Sequence, residues 1–155
     1  MVYSGRICLS GANGEGDQDV TPTIAHMEWG IKFEKEGSLL TITASGIPDT
    51  EGFRSYLEAA ASNPEWHQGI RVLCDFRELD TSRVTAYVLR GIADLHKKFT
   101  DRYGSNPVAV VVSRPVDFGM LRMFEAYAGN MCPDYKVFYS VENALEWLQG
   151  ELTAS

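Results

Sequence analysis

The chain has 155 residues, 45% of them apolar and 23% charged, which suits a single globular domain with an ordinary core and excludes a disordered chain. With 14 basic against 21 acidic residues the net charge is −7, a balance that repels phosphate backbones and anionic lipid headgroups and so argues against general nucleic-acid binding or electrostatic adhesion to a membrane. The cysteines Cys8, Cys74 and Cys132 are widely spaced and form no Cys-x-x-Cys pair, the pattern of reduced thiols in a cytoplasmic protein; no apolar run is long enough to span a bilayer, and residues 1–20 lack the apolar centre of a signal peptide.

In chain order, residues 1–27 read as a flexible extension, polar and glycine-rich from Gly11 to Asp19, with only a weak strand pattern in Val2 to Leu9. The folded unit is expected over residues 28–150. Trp29, Ile31 and Phe33 alternate with Gly30, Lys32 and Glu34, the period of a half-buried strand, and Glu36-Gly37-Ser38 turns it into a second strand from Leu39 to Ala44. Asp49, Thr50 and Glu51 open a helix whose inner face carries Phe53, Leu57 and Ala60, and Pro64 stops it. Ile70 to Phe76 is an almost continuous apolar run, as for a strand covered on both faces. Val84, Val88, Ile92, Leu95 and Phe99 mark a long helix, with His96, Lys97 and Lys98 placed as favourable cations in its last turns and Gly104 closing it. Pro107 to Val112 is the cleanest strand. A third helix spans about 116–130, a fifth strand Lys136 to Tyr139, and Ser140 caps a last helix with Ala144, Leu145 and Leu148 on its inner stripe; 151–155 reads as a tail. The fold class is α/β: one domain with a mixed five-stranded sheet, an initial hairpin followed by parallel strands, and four main helices.

Several phrases carry a resemblance: Val72-Leu73-Cys74-Asp75-Phe76-Arg77, Ala109-Val110-Val111-Val112-Ser113, Phe118-Gly119-Met120-Leu121-Arg122-Met123-Phe124-Glu125, and Val137 through Leu148. Together, over about Trp29 to Leu148, the chain resembles a small bacterial family related to the STAS domain, the fold of the sporulation anti-anti-sigma factor, a family also compared with the lipid-binding CRAL-TRIO domain. The resemblance implies regulatory binding or binding of an apolar ligand. Anti-anti-sigma factors carry an Asp-Ser-Ser-Gly-like motif whose first serine is phosphorylated. Asp80-Thr81-Ser82-Arg83 is similar to it, with Thr81 in the acceptor place, but Arg83 stands where the glycine belongs and Asp80 follows Asp75 closely. The simpler reading of Thr81 or Ser82 is a helix cap.

In an open α/β sheet, ligands gather outside the carboxyl ends of the strands. That rule collects Asp75, Arg77, Ser113 and Arg114 at one rim, with Arg122 on the following helix, and with Phe76, Phe118 and Tyr139 as apolar neighbours. Arginines beside helix starts suit a carboxylate or phosphate headgroup, and the aromatics suit an apolar tail. The structural alternative is an Asp75–arginine pair that ties loops together. Met120, Met123, Phe124 and Tyr127 span more than one helix face, so at least one faces out, which suggests a homodimer or another partner. Trp147 reads as a lid on the core.

Catalytic and metal patterns are thin. There is no Gly-x-Ser-x-Gly elbow and no Gly-x-x-x-x-Gly-Lys-Ser/Thr loop. Asn13, Glu15, Asp17 and Asp19 alternate as in a calcium loop, yet Gln18 and Ile24 fall where glycine and glutamate are required. His26, His67 and His96 have no metal spacing, and Cys74 lies in an apolar strand. The expectation is therefore a non-enzymatic, cofactor-free binding or regulatory module that recognises a small amphipathic ligand or a protein partner. The alternative is a phospho-switch with Thr81 or Ser82 as acceptor.

Overall fold

The computed structural model describes residues 2–6, 27–104, 106–128 and 135–154. In chain order the elements are β1 (Val2–Arg6), β2 (Glu28–Glu34), β3 (Leu39–Gly46), α1 (Thr50–Ala61), β4 (Arg71–Leu79), a single 3-10 turn (Thr81–Arg83), α2 (Ala86–Tyr103), β5 (Val108–Val111), α3 (Pro115–Ala128), β6 (Tyr135–Phe138) and α4 (Val141–Ala154). Among the described residues they form one six-stranded sheet in the order β1-β2-β3-β4-β5-β6. The pairs β1–β2 and β2–β3 are antiparallel, and β3-β4-β5-β6 are mutually parallel.

The hairpin and the parallel crossovers are where the sequence places them. The sheet has six strands rather than five, because Val2–Arg6 pairs with β2 from Val2 opposite Lys32 to Arg6 opposite Glu28. This segment has Ser4 and Gly5 at its centre and no clean alternation, so its pairing follows from the edge that β2 offers more than from its own pattern. Residues 2–6 thus belong to the sheet and not to a flexible extension, and Met27 is wholly buried under α1. The rest of the expected extension, with the Gly11–Asp19 stretch, lies outside the described residues, as do Cys8 and Cys132. At the other end, residues 151–154 continue α4 instead of forming a tail, since nothing from Glu151 to Ala154 breaks a helix.

Local chemistry sets the helix ends. The Asp49 carboxylate accepts from the Gly52 N–H at 2.6 Å and caps α1, a contact worth about 1 kcal/mol. Gly104, with φ +84°, closes α2 and donates to the Thr100 carbonyl at 2.8 Å; a Cβ there would lie 2.5 Å from the Gln68 side chain. Ser140 caps α4 by accepting from the Asn143 N–H at 3.2 Å.

The two faces of the sheet differ. One is covered by α1, α2 and α3, which enclose the larger core around Ile31, Ile42, Phe53, Tyr56, Cys74, Phe76, Ile92 and Phe124. The other carries, among the described residues, α4, packed on Leu39, Leu73, Ala109 and Val111 through Ala144 and Leu148, with Trp147 and Phe138 as half-buried neighbours. No helix among the described residues is long and apolar enough to cross a membrane.

Candidate functional site

The strand ends do meet at one rim. Ser113 Oγ, just past β5, donates to the Arg77 carbonyl on β4 at 3.1 Å, and the Val112 N–H donates to the Phe138 carbonyl on β6 at 2.9 Å. The side chains nonetheless go different ways. Asp75 has the parity of Leu73 and so faces the α4 side. There it takes a bidentate pair from Arg77 at 2.8 and 2.7 Å, and these bonds hold its carboxyl below the usual carboxylate range. The Asp75–arginine pair is therefore local to one strand and does not tie two loops. Phe76 points to the opposite face and is buried edge-on against Phe53. Arg114 pairs with Asp117, and Arg122 lies far out on α3, 67% exposed, paired with Glu125. Phe118 and Tyr139 stack at 5.2 Å between ring centres, with Tyr139 largely outside. Of the expected set, Ser113, Arg114, Phe118 and Tyr139 stand around the ends of β5 and β6, whereas Asp75 and Arg77 face away from Arg114, so no shared cationic spot forms.

A bulge decides what else the rim presents. Between Thr43–Asp75 and Ser45–Glu78 the β4 strand holds one residue more than β3. The extra residue turns Leu79 back to the side of Phe76, toward α1 and α2. There, between the sheet and α1, α2 and α3, lies a cavity of about 90 Å³, well above the ~10–15 Å³ that one water needs. Its walls are apolar: Phe53 from α1, Phe76 and Leu79 from β4, Leu89 and Ile92 from α2, Val110 and Val112 from β5, Met120, Leu121 and Phe124 from α3. Two polar side chains, Thr81 and Asp117, line it at the rim. A second cavity of about 70 Å³ adjoins it, and Tyr56, Cys74, His96 and Val108 belong to the walls of both.

Asp117 is the residue that sequence reasoning missed. It is 1% exposed and accepts from Thr81 Oγ1 at 2.5 Å and from Arg114 Nη2 at 2.9 Å on one oxygen, and from Arg114 Nε at 2.8 Å on the other. These bonds hold the Arg114 guanidinium firmly protonated, with Asp80 adding a weaker attraction. A signal was present: Asp117 occupies the inner stripe of α3 with Met120, Leu121, Phe124 and Ala128, an acid at an apolar position. Its place in the first turn also suits the helix dipole.

The neighbouring turn corrects two further expectations. Neither Thr81 nor Ser82 caps α2: Thr85 does, accepting from the Val88 N–H at 3.2 Å. Thr81 is buried with its hydroxyl on Asp117, while Ser82 is exposed and donates to Asp80 at 2.6 Å, which lowers the Asp80 pKa. His96 is also not a surface cation at a helix end, since α2 continues to Tyr103. Its ring lies between those of Phe53 and Phe124 at 5.6 and 5.3 Å, and Nδ1 donates to the Ile92 carbonyl at 2.9 Å. Lys97 and Lys98 remain outside. On α3, Phe124 is buried, Met120 reaches the cavity and Met123 faces out, 44% exposed. Trp147 packs on Phe138 at 5.8 Å as a cover of the second core.

Among the described residues no three His, Cys, Asp or Glu side chains cluster as a metal site. The architecture is that of a SpoIIAA-like, and hence STAS-like, α/β domain. Among solved structures the chain is similar to an uncharacterized protein of the DUF3478 family with a SpoIIAA-like fold from Shewanella loihica PV-4, at 20% identity and a TM-score of 0.55, over 84% of this chain and 99% of that one. No family model matches the sequence, and no curated protein matches it.

Two predictions follow from the paired charges and the enclosed imidazole. Removing Arg114 strands a buried carboxylate, whereas removing Arg77 frees a half-exposed one. Arg114→Ala is expected to lower the urea midpoint of the ligand-free protein severalfold more than Arg77→Ala does; equal shifts would refute the assignment. Burial holds the His96 pKa below the ordinary histidine value. Below about pH 6.5 the unfolded chain therefore binds a proton that the folded ring resists, so stability is complete above that pH and is lost as pH falls toward the depressed folded value. The urea midpoint of the native chain should drop between about pH 8 and pH 5, and His96→Phe should flatten the drop where His67→Gln does not.

Proposed function

We propose that this protein is a non-enzymatic binding module that takes a small, largely apolar molecule between its sheet and the α1–α2–α3 layer. The single observation that carries this reading is the apolar cavity with one polar end, Thr81 and Asp117, at the rim where α/β sheets bind ligands. Apolar walls supply affinity, and the few polar atoms supply orientation. Met120 and Leu121, both half-buried, give the wall next to the rim some freedom to move aside. The resemblance to domains compared with the lipid-binding CRAL-TRIO fold supports the same ligand class. So does the placement of Phe118 and Tyr139 beside the rim.

The test is calorimetric titration with hexane, which is small enough for the two adjoining cavities, together with native mass spectrometry of the purified protein. The expected result is one saturable site whose affinity falls at least about tenfold in Val110→Phe, which fills the cavity, while the melting temperature holds. An unsaturable signal, or equal binding by the filled variant, would sink the reading.

A second reading keeps one observation of its own: Ser82 is exposed beside the start of α2. A phosphate there would add charge to a partner surface, as in a STAS-type phospho-switch. Thr81 suits that role poorly, because its hydroxyl is turned inward to Asp117. Incubation with lysate and ATP, followed by peptide mapping, should then give phosphate on Ser82 and none on Thr81; modification at Thr81 would contradict this choice of acceptor.

A further inference from the structure

We propose that the cavity selects a ligand whose polar end donates a hydrogen bond, such as a long-chain alcohol or a primary amide, and rejects the matching carboxylate. This rests on the reading that the cavity holds a ligand at all. Donors and acceptors at the Thr81–Asp117 end set this preference.

Asp117 lines the cavity and, as a carboxylate paired with Arg114, has no proton to give. Three bonds from Thr81 and Arg114 occupy part of its acceptor capacity, about four lone-pair directions, and leave room for one more donor. Thr81 has committed its hydroxyl proton to Asp117, so its oxygen offers the cavity lone pairs. Further along, His96 directs Nδ1 to the Ile92 carbonyl, which can only accept, so the neutral ring carries its proton there and its other nitrogen is an acceptor too.

The cations are placed elsewhere. Arg114 stands behind Asp117 and is not part of the cavity wall, and Arg77 faces the α4 side with Asp75. An anionic head entering along the apolar walls would meet a carboxylate first. Tyr56 and Tyr135 also line the cavity, and the Tyr135 backbone pairs with Val108 at the strand starts, whereas Asp117 follows the strand ends. A head at the rim therefore finds acceptors. A site built so discriminates strongly, because the wrong head leaves buried polar groups unmatched.

Calorimetric titration of the full chain with n-octanol, octanoate and hexane at mildly alkaline pH tests this. Octanol should bind at least about tenfold more tightly than octanoate. In Thr81→Val, octanol should weaken severalfold while hexane is unchanged. Asp117→Asn, which replaces an acceptor by an N–H, should shift preference toward octanoate; should that variant not fold, Thr81→Val still decides. If octanoate binds as well as octanol, or if Thr81→Val weakens hexane and octanol alike, the proposal is overturned while the cavity reading stands. If none of the three binds, the cavity reading fails and this proposal fails with it.

Discussion

The buried carboxylate of Asp117 is the constraint on which the rim depends. A charge at 1% exposure is tolerated only with close partners, and it has two from different parts of the chain. Arg114 reaches it from just before α3, and Thr81 reaches it from the 3-10 turn that follows β4. The bond to Thr81 crosses 36 residues of sequence and fastens the β4–α2 connection to the start of α3. The longer Arg114–Asp80 pair, at 3.8 Å, is a weaker second link between the same two connections. The same carboxylate therefore fixes the rim mechanically and gives the largely apolar cavity a charged group at that end.

The two sheet faces are packed with different side chains. Under α4 the fully buried contacts are Ala144 and Leu148 on Ala109, Leu73 and Val111, small and aliphatic residues, with Phe138 and Trp147 at the edge. Under α1, α2 and α3 the core is built on rings. Phe53 meets Phe76 at 88° and His96 at 66°, and His96 meets Phe124 at 83°. Edge-to-face rings are each favourable by about 0.5–1.5 kcal/mol, but flat plates set at right angles leave gaps that methyl groups would have filled. The bulge in β4 then directs Phe76 and Leu79 to the same side, where both line the cavity.

The sequence revealed the elements where periodicity was strong and missed them where pairing came from outside. Pro107 to Val112, the hairpin of Trp29 to Ala44 and the caps at Asp49, Gly104 and Ser140 were all legible, because each depends on neighbours in sequence. Val2–Arg6 was not, because its place is set by the free edge of β2. Asp75 and Arg77 were rightly placed at a strand end. Their partner was harder to foresee: a bidentate pair two residues apart satisfies both charges within β4 and leaves nothing to reach across the rim. Thr81 was singled out as an acceptor or a cap; Thr85 takes the cap, and the Thr81 hydroxyl is turned to Asp117. His96 was read from its lysine neighbours, although its spacing from Leu89 and Ile92 puts it on the buried stripe.

Parallel crossovers bring backbones together, but they do not choose which face a side chain takes. Ser113 touches the Arg77 carbonyl, so the rim converges at the level of the main chain. Arg77 then turns to the α4 side, where Glu142 at the start of α4 adds to the attraction of Asp75, and Arg114 turns to the α3 side. Alternation along a strand assigns these faces, and one bulge shifts the assignment for everything after it. A rule that ligands bind beyond the strand ends therefore locates a region with two separate surfaces. In this protein the charged pair decorates the surface beside α4, and the apolar cavity with its single buried carboxylate belongs to the other. A ligand chosen by the cavity meets Asp117 and Thr81 without meeting Arg77, so the chemistry of recognition follows from side-chain parity as much as from topology.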